Sequence, residues 1–431
     1  MNTEQFLANQ FNISQKTIGF AESIRQKIQY RLDARDQLAE THQYRVIAAM
    51  QHAGLSDRHF AGTTGYGYND AGREAIEQIY AEIFETEAAL VRPHITCGTH
   101  AISLCLFGVL RPGDELLAIS GAPYDTIVSV IGAQGQEKNE GTLTDFGVTY
   151  RQVDLTTEGK FDEPQILSSI TDKTKMIYIQ RSTGYAWRKA LTMDAIADII
   201  RKVKAVKPDV VVFVDNCYGE FLDDHEPTAF GADLAAGSLI KNIGGGIAPS
   251  GGYVAGKAKW VSRCAARLSA PGIAGETGAT LDTNRLFFQG LFLAPKVTSE
   301  ALKSAILVGE AYRELGFDVC PLPEDYRSDI IQSVKLGNPE AVKIFCRAVQ
   351  ESAPVDAFVT PEPWAMPGYA DPVIMAAGAF IQGSSIELSA DAPMREPYIV
   401  YFQGGLTHAH GKLGLLLTLE RLSEAGMIKL P

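Results

Sequence analysis

The chain has 431 residues, of which 46% are hydrophobic and 21% charged, and its formal net charge is −12. These values are ordinary for a globular protein of two or three core-bearing units. The acidic balance argues against nucleic acid or an anionic membrane surface as the main partner, because phosphate binding needs a basic footprint. The N-terminus lacks the basic start of a signal peptide, and no run approaches the roughly 18 apolar residues of a membrane helix. We therefore expect a cytoplasmic protein without a membrane partner.

The cysteines predict reduced thiols rather than disulfides or a metal cluster. They are scattered through apolar contexts without a CxxC pair, at Cys97, Cys105, Cys217, Cys264, Cys320 and Cys346. The pair His408-x-His410 is the nearest approach to a metal-ligand spacing, and we interpret it as two histidines at the start of a helix. No metal site is expected.

Residues 1–55 are polar and favour helix, and they contain too few apolar residues to form a hydrophobic core of their own. We expect this segment to pack on the body of the protein or on another subunit. From residue 56 onward, helical and strand patterns alternate. Predicted helices are those beginning at Asp70 and Gly98, Glu163–Ile170 and Met193–Val206, and predicted strands are Ala88–Val91, Glu115–Ser120, Val148–Val153, Lys175–Gln180 and Asp209–Asp215. This alternation predicts an α/β fold with a mostly parallel sheet covered on both faces by helices.

Pro295 is predicted to close this region, because proline interrupts helical hydrogen bonding. Beyond it the pattern predicts a long helix over Lys296–Leu315 and a smaller α+β domain. Its other predicted elements are a strand at Asp329–Lys335, a helix at Pro339–Ser352, an antiparallel group at Pro372–Ile381, Ser385–Leu388 and Tyr398–Gln403, and a helix at Thr407–Ala425. The predicted domains are therefore a helical segment at 1–55, a large domain at 56–295 and a small domain at 296–431.

Lys241 is the strongest candidate for chemistry. It follows a run of small residues that ends near Ser238 and precedes three glycines, Gly244–Gly246. An apolar strand pattern ends in Asp215, 26 residues earlier. This order suggests an aldehyde cofactor, which Lys241 would hold as a Schiff base with a pKa lowered by burial, and whose ring nitrogen Asp215 would contact. The alternatives are a solvated surface lysine and an aspartate that caps the next turn.

Other candidates follow predicted strands, where ligands bind in parallel sheets. Gly98 and Thr99 open a helix whose free N–H groups favour a phosphate, or they simply start that helix, and Ser238 could add a hydroxyl to the same phosphate. Tyr124 could stack on a cofactor or pack in the ordinary way.

Two further groups point to substrate or to a subunit interface. Tyr66 and Tyr68 stand in a loop of small residues, from which they could reach a ligand or a neighbouring subunit. Arg395 could clamp a carboxylate with two hydrogen bonds, or form a surface ion pair with Glu396 or Asp391.

Four motifs together resemble a known family, the fold-type I pyridoxal-phosphate enzymes of cysteine and methionine metabolism, and in particular the aluminium resistance protein or methionine γ-lyase branch. The motifs are Gly65-Tyr-Gly-Tyr-Asn-Asp-Ala-Gly-Arg73, Val214-Asp-Asn-Cys-Tyr-Gly-Glu220, Gly237-Ser-Leu-Ile-Lys-Asn-Ile-Gly-Gly-Gly246, and Arg395-Glu-Pro-Tyr398 followed by Tyr401-Phe-Gln-Gly-Gly-Leu406. The resemblance implies a seven-stranded sheet in the large domain and a pyridoxal 5'-phosphate cofactor. It also implies a homodimer or homotetramer with shared active sites.

The same resemblance implies a role for each candidate residue. These roles are a Schiff base at Lys241, a ring-nitrogen contact at Asp215, ring stacking by Tyr124, phosphate contacts from Gly98, Thr99 and Ser238, a substrate carboxylate at Arg395, and Tyr66 and Tyr68 donated across a dimer interface. The implied activity is β- or γ-elimination from a sulfur-containing amino acid such as cystathionine or methionine. The alternative function is a cofactor-binding protein with little turnover in a stress or metal-resistance role.

The chain departs from the better-known carbon–sulfur lyases at two places. Those enzymes carry Ser-x-Thr before the lysine, whereas Ile240 occupies the threonine position here. Their Glu-Thr-Pro-x-Asn-Pro loop is replaced by Gln180-Arg-Ser-Thr-Gly-Tyr185, and we hypothesise that Arg181 substitutes near the cofactor or substrate. A nucleotide-binding oxidoreductase would instead need a GxGxxG turn or a GxxxxGK[ST] loop, and the sequence contains neither.

Overall fold

A computed structural model describes residues 2–133, 140–366 and 371–431. These residues form two compact units. The larger unit comprises Glu40–Gly184 and Ala190–Pro295, and the smaller comprises Met1–Ala39, Tyr185–Lys189 and Lys296–Pro431. Each unit is described by itself below.

The α-helices of the described residues, in chain order, are α1 Thr3–Phe11, α2 Gln15–Lys27, α3 Gln29–His52, α4 Ala71–Ile83, α5 Gly98–Val109, α6 Asp125–Ile131, α7 Glu163–Ser169, α8 Met193–Val206, α9 Ala258–Leu268, α10 Asn284–Glu314, α11 Pro339–Glu351 and α12 His408–Glu424. Several begin at a side-chain cap of the expected kind. Asp70 accepts from the Arg73 amide at α4, and Thr192 accepts from the Ala195 amide at α8.

The larger unit is built on a seven-stranded sheet. Its strands are β1 Ala88–Arg92, β2 Glu115–Ala118, β3 Thr149–Gln152, β4 Thr174–Gln180, β5 Val211–Asp215, β6 Leu234–Ser238 and β7 Gly252–Gly256, in the spatial order β1-β7-β6-β5-β4-β2-β3. Strand β7 runs in the direction opposite to the other six strands. It pairs antiparallel with β1 and with β6, and the other pairs are parallel. The predicted α/β class and mostly parallel seven-stranded sheet are confirmed.

Burial explains why this part of the sequence forms parallel strands. Every residue of β5 and of β6 is buried, as expected for strands covered on both faces. One core layer places α5 and α9 against one face of the sheet, and another places α8 against the other face. The carboxyl ends of β4, β5 and β6 therefore lie side by side, because Gln180 pairs with Asp215 and Asp215 pairs with Ala236.

The smaller unit contains an antiparallel five-stranded sheet. Its strands are β8 Asp318–Cys320, β9 Ile331–Lys335, β10 Val373–Ala376, β11 Ser389–Pro393 and β12 Ile399–Gln403, in the spatial order β10-β11-β12-β9-β8. The predicted strand at Ser385–Leu388 is wrong, because the chain begins to pair only at Ser389. The strand β8 was not predicted, since three residues carry too little pattern to recognise.

The start predicted for the long helix, at Lys296, is also wrong. Helix α10 begins at Asn284 and contains Pro295 in its interior. Proline removes one backbone hydrogen bond, but neighbouring Leu291 and Ala294 are fully buried in the core of the larger unit. Packing of that apolar face outweighs the local preference for ending the helix.

The N-terminal helices of the smaller unit pack on its C-terminal helices. Ile13, Ile18 and Ala21 share one core cluster with Ala348 of α11 and with Leu416 and Leu417 of α12. This agrees with the expectation that the segment owns no core and packs on the body. None of the helices in the described part of the chain combines the length and apolar character that a membrane crossing requires.

Candidate active site

Asp215 ends strand β5 and lies at the centre of the candidate site. Its carboxylate accepts from the Tyr178 hydroxyl at 3.0 Å and from the Cys217 amide at 3.1 Å. Burial raises the pKa of Asp215 above its ordinary value even though these donors act to lower it. A cation beside this carboxylate would offset the desolvation that burial imposes.

Lys241 follows the next strand, β6, and starts a short 3-10 turn over Asn242–Gly244. Its Nζ lies 3.5 Å from the centre of the Tyr218 ring. Burial acts to lower the pKa of Lys241, but Tyr218, Cys217 and Asp215 outweigh it and leave the pKa raised. The predicted lowering is therefore wrong for this structure, because the neighbouring groups favour the ammonium form.

Gly98 and Ser238 meet at the start of helix α5. A Cβ atom at position 98 would lie 3.1 Å from Cys217 Sγ and 3.6 Å from Ser238 Cβ, so a larger residue would be crowded against Cys217. The preceding residue, Cys97, makes no side-chain cap to the first turn of α5. The free amides of a helix N-terminus thus stand beside the fully buried Ser238, which is an arrangement suited to an anion.

Thr99 and Tyr124 are connected through Thr126. The hydroxyls of Thr99 and Thr126 are 2.8 Å apart, and Tyr124 occupies the N-cap position of helix α6, two residues before Thr126. This bond joins the start of α5 to the loop that carries Tyr124. The structure thus brings the loop of Tyr124 to the predicted phosphate site, while the predicted stacking contact stays a prediction.

Arg181 lies directly after β4 and is fully buried. Its guanidinium donates to Asn216 Oδ1 at 2.8 Å and forms ion pairs with Asp223 and Glu226. Its aliphatic stem packs so closely on Gly219 that a Cβ there would lie 2.6 Å from Arg181 Cδ. These contacts give Arg181 a structural role that the sequence did not suggest, and its hypothesised substrate contact stays a prediction.

Two buried acids, Glu220 and Glu226, lie close to residues of the candidate site. Glu220 accepts from the Tyr253 hydroxyl at 2.8 Å, and a Cβ at Gly237 of β6 would lie 2.6 Å from Glu220 Oε1. Burial, together with the nearby charge of Glu226, raises the pKa of Glu220 to about 8. The backbone of β6 that leads to Ser238 and Lys241 therefore packs against the buried side chains of Glu220 and Tyr253.

Tyr66 and Tyr68 stand on a loop held firmly at its base. The two rings stack on each other with centres 5.5 Å apart, yet they are 73% and 53% exposed. Asp70 accepts from the Thr280 hydroxyl at 2.5 Å, and Arg73 donates to the Gly67 carbonyl at 2.6 Å. The loop therefore presents an exposed aromatic pair on an ordered support.

Arg395 belongs to the smaller unit. Its guanidinium is half-exposed and forms a 3.0 Å ion pair with Asp371, whereas Glu396 and Asp391 were the partners expected for a surface pair. A small cleft there is lined by Arg395, Ile399 and Tyr401. The predicted role of Arg395 in binding a substrate carboxylate stays a prediction.

Three site residues were missed by reasoning from the sequence, namely Tyr178, Cys217 and Tyr218. Cys217 and Tyr218 stand in the quoted motif after Asp215, so their proximity to this candidate site residue was a usable signal. Tyr178 lies 37 positions before Asp215, and only the pairing of β4 with β5 brings the two together. No group of three or more His, Cys, Asp or Glu side chains within the described ranges could hold a metal ion.

The residues present fit pyridoxal phosphate. The cofactor carries a phosphate, a ring nitrogen and an aldehyde, and the site offers a Gly98–Ser238 cradle, the buried Asp215 carboxylate and the Lys241 amine. The raised pKa of Asp215 is the state expected of an acid that a cationic ring nitrogen would stabilise. The close approach at Gly98 leaves the first-turn amides open to a phosphate.

Comparisons with known proteins agree with this geometry. Residues 17–423 match the family described as methionine gamma-lyase. A carbon–sulfur lyase involved in aluminium resistance from Clostridium novyi NT has a similar solved structure, with a TM-score of 0.94 and 48% identity, covering 97% of this chain and 99% of that one. A candidate cystathionine beta-lyase involved in aluminium resistance from Listeria monocytogenes has a TM-score of 0.91 and 48% identity, covering 94% and 99%.

A more distant structure is similar in fold alone. The pyridoxal-5'-phosphate-dependent protein YhfS from Escherichia coli has a TM-score of 0.61 and 18% identity, covering 90% of this chain and 96% of that one.

Proposed function

Because the chain belongs to the methionine gamma-lyase family, we propose that it is a pyridoxal-phosphate-dependent carbon–sulfur lyase that eliminates a thiol from an amino acid such as cystathionine or methionine. The observation that carries this proposal is the meeting of Asp215, Lys241 and the Gly98–Ser238 cradle at the carboxyl ends of β5 and β6. An acid, an amine and an anion cradle are the groups that this cofactor requires.

Each of these groups would hold one part of the cofactor. Lys241 would bind the aldehyde covalently through Nζ, and Asp215 would accept a hydrogen bond from the ring nitrogen. The amides of Gly98 and Thr99, with the Ser238 hydroxyl, would bind the phosphate. Tyr124 would cover one face of the ring.

When bound, pyridoxal phosphate supplies an electron sink that stabilises negative charge at the substrate Cα. The substrate amine would free Lys241, whose Nζ would then take the Cα proton as a general base. In elimination at Cβ, the bond from Cβ to sulfur would then break with its electron pair going to sulfur. Elimination at Cγ would in addition require loss of a proton from Cβ before the bond from Cγ to sulfur breaks. In either case the ammonium of Lys241 would be the nearby source of a proton for the leaving thiolate. Asp215, held by the hydroxyl of Tyr178, would keep its charge against the ring nitrogen.

The direct test uses Lys241→Ala and the control Lys173→Ala, an exposed lysine of the same unit. We expect Lys241→Ala to lose both covalent cofactor attachment, seen as loss of visible absorbance, and turnover, while Lys173→Ala keeps both. A Lys241→Ala protein with full turnover would contradict the assignment.

A substrate panel separates the remaining choices. Cystathionine, cysteine and methionine would be assayed for release of keto acid, ammonia and thiol. Elimination at Cβ of cystathionine releases homocysteine, whereas elimination at Cγ releases cysteine, so the thiol product identifies the bond that breaks. We expect one of these activities to exceed that of the free cofactor.

We also propose that the active sites are shared within a homo-oligomer, with Tyr66 and Tyr68 donated to the neighbouring subunit. Their exposure on an ordered loop supports this. Inactive Lys241→Ala and Tyr66→Ala proteins would be mixed after mild dissociation. Recovery of activity in the mixture is expected, and the absence of recovery from mixed oligomers would contradict shared sites.

A second candidate is a cofactor-binding protein with little turnover, acting in stress or metal resistance. The observation that favours it is the burial of Arg181 among protein acids, in the loop that departs from the better-known lyases. Fully cofactor-loaded protein that releases no product across the panel would support this candidate over the lyase.

A further inference from the structure

The aromatic ring of Tyr218 faces the amine of Lys241. The Nζ atom lies 3.5 Å from the centre of the Tyr218 ring, well inside the roughly 6 Å over which an aromatic face attracts a cation. Both side chains are partly buried, and desolvation strengthens such contacts. The ring thus favours the ammonium form of the lysine.

The backbone at Tyr218 is held in a conformation that tyrosine rarely adopts. Its φ is 67°, in the left-handed region that is unfavourable for residues other than glycine and asparagine. Strain of this kind persists only where surrounding contacts enforce it, and it concentrates at functional sites.

Asn242, the residue after Lys241, supplies such contacts. Its side-chain amide donates to the carbonyl of Tyr218 at 2.9 Å and to the carbonyl of Glu220 at 3.3 Å, and the residue is fully buried. On the other side of the loop, Gly219 lies against the stem of Arg181. The loop that carries Tyr218 is therefore tied to the residue next to Lys241.

We propose that Tyr218 is a catalytic residue whose ring face stabilises the protonated Lys241, and that Asn242 is the positioning residue that keeps the ring there. This inference rests on the proposed function, in which Lys241 Nζ carries the proton taken from the substrate Cα. Tyr218 would then hold that proton on the lysine until sulfur leaves, which makes the proton transfer productive.

Other titratable groups also face this amine. The phenol group of Tyr218 itself acts to raise the pKa of Lys241, in part through a side-chain hydrogen bond, and so do Cys217 in the loop after β5 and Asp215 at the end of β5. Tyr178 reaches the same region from β4 through its bond to Asp215. A test must therefore separate the ring of Tyr218 from these groups, which its substitution leaves in place.

The test measures Lys241 in full-length, cofactor-free protein by competitive acetylation. The pH dependence of acetylation, followed for each lysine by peptide mass spectrometry, gives the pKa of Lys241 with the other lysines as internal references. The variants are Tyr218→Phe, which keeps the ring face, Tyr218→Leu, which removes it, and Asn242→Ala. Tyr150→Leu, on strand β3, serves as the matched control, and Tyr218→Met repeats the test if Tyr218→Leu does not fold.

We expect Tyr218→Leu to lower the pKa of Lys241 by about one unit, which is about a tenfold faster acetylation at a pH below the pKa. Tyr218→Phe, which loses the hydroxyl but keeps the ring face, should lower the pKa by less. Asn242→Ala should shift it in the same direction by less. An unchanged pKa in folded Tyr218→Leu would overturn the role of the ring, and an equal shift in Tyr218→Phe would overturn its assignment to the ring face. An unchanged pKa in Asn242→Ala would overturn the positioning role.

A second readout links the contact to turnover in the reconstituted protein. Tyr218→Leu should lower kcat and shift the pH profile, while Tyr218→Phe should change both by less. Identical pH profiles would overturn the catalytic role. The proposed function and the role of Tyr218 can fail separately. The acetylation experiment tests the role of Tyr218 without cofactor. Cofactor attachment that survives in Lys241→Ala would refute the proposed function alone.

Discussion

The buried carboxyl group of Glu220 should make the stability of this protein depend on pH in an unusual direction. Glu220 is fully buried, and one of its two oxygens has no hydrogen-bond partner among the described residues. Burial, reinforced by the charge of Glu226, raises its pKa from 4.5 to about 8. The folded protein therefore binds a proton that the unfolded chain releases.

The sign and the size follow from this difference. Between the unfolded pKa of 4.5 and the folded pKa of about 8, the folded state holds more protons, so stability falls as pH rises and levels off above pH 8. One pKa unit corresponds to about 1.4 kcal/mol, so the charged form costs roughly 3 kcal/mol at pH 7 and roughly 5 kcal/mol above the folded pKa.

Glu220→Gln removes this titration and keeps an oxygen for the Tyr253 hydroxyl. Denaturant unfolding, followed by fluorescence of the three tryptophans, would be compared for the variant and the wild type from pH 6 to pH 9. We expect the variant to gain stability relative to the wild type by about 2 kcal/mol between pH 6 and pH 8, with little further gain above pH 8.5.

The control is Glu115→Gln, a glutamate that is also buried but whose pKa is held below its ordinary value by the hydrogen-bonded guanidinium of Arg151. Its difference from the wild type should not grow over the same pH range. A Glu220→Gln difference that stays constant from pH 6 to pH 9 would refute the assignment of a proton to Glu220.

Three further predictions concern the groups around the cofactor. Arg181→Gln should lower the free energy of unfolding by about 3–5 kcal/mol, measured by denaturant unfolding, because it leaves buried carboxylates without their cation. Gly98→Ala should weaken pyridoxal-phosphate binding, measured by absorbance titration of cofactor-free protein, because its methyl group would lie 3.1 Å from Cys217 Sγ; adding Cys217→Ala should recover part of the loss. Tyr178→Phe should weaken the same binding about tenfold or more, because Asp215 loses a donor to its charged form.

Each of these variants has a control variant that should have almost no effect on stability or on cofactor binding. Arg201→Gln removes an exposed ion pair with Asp198 and should leave the free energy of unfolding nearly unchanged. Gly19→Ala adds a methyl group where no atom lies within 4 Å, and Tyr150→Phe removes a hydroxyl outside the site. Losses of equal size in these controls would show that the site variants act through general destabilisation.

Most of the larger unit could be predicted from local pattern. Strands β4 and β5 are recognisable as apolar runs, and helix α8 is recognisable from its amphipathic periodicity and its capping residue. These signals act over a few residues. The exceptions share a cause. Helix α10 runs through Pro295 and strand pairing starts at Ser389 rather than Ser385, because tertiary packing and strand register outweighed the local signal.

The sequence by itself determined which chemistry the chain can carry. Lys241, Asp215 and the glycine at position 98 were recognisable because acid-ended strands, helix starts and glycine-rich loops are short-range patterns. Their common location followed from the rule that parallel strands end at one edge of the sheet.

Only the tertiary structure decided what surrounds those residues. Tyr178 bonds Asp215 because β4 pairs with β5, and Gly98 meets Cys217 because the N-terminus of α5 lies beside the ends of β5 and β6. Arg181 is paired with acids from a later loop. These contacts join residues far apart in the chain, so no local pattern encodes them. They set the proton affinities of the site, which depend on burial and on neighbours in space rather than on neighbours in sequence.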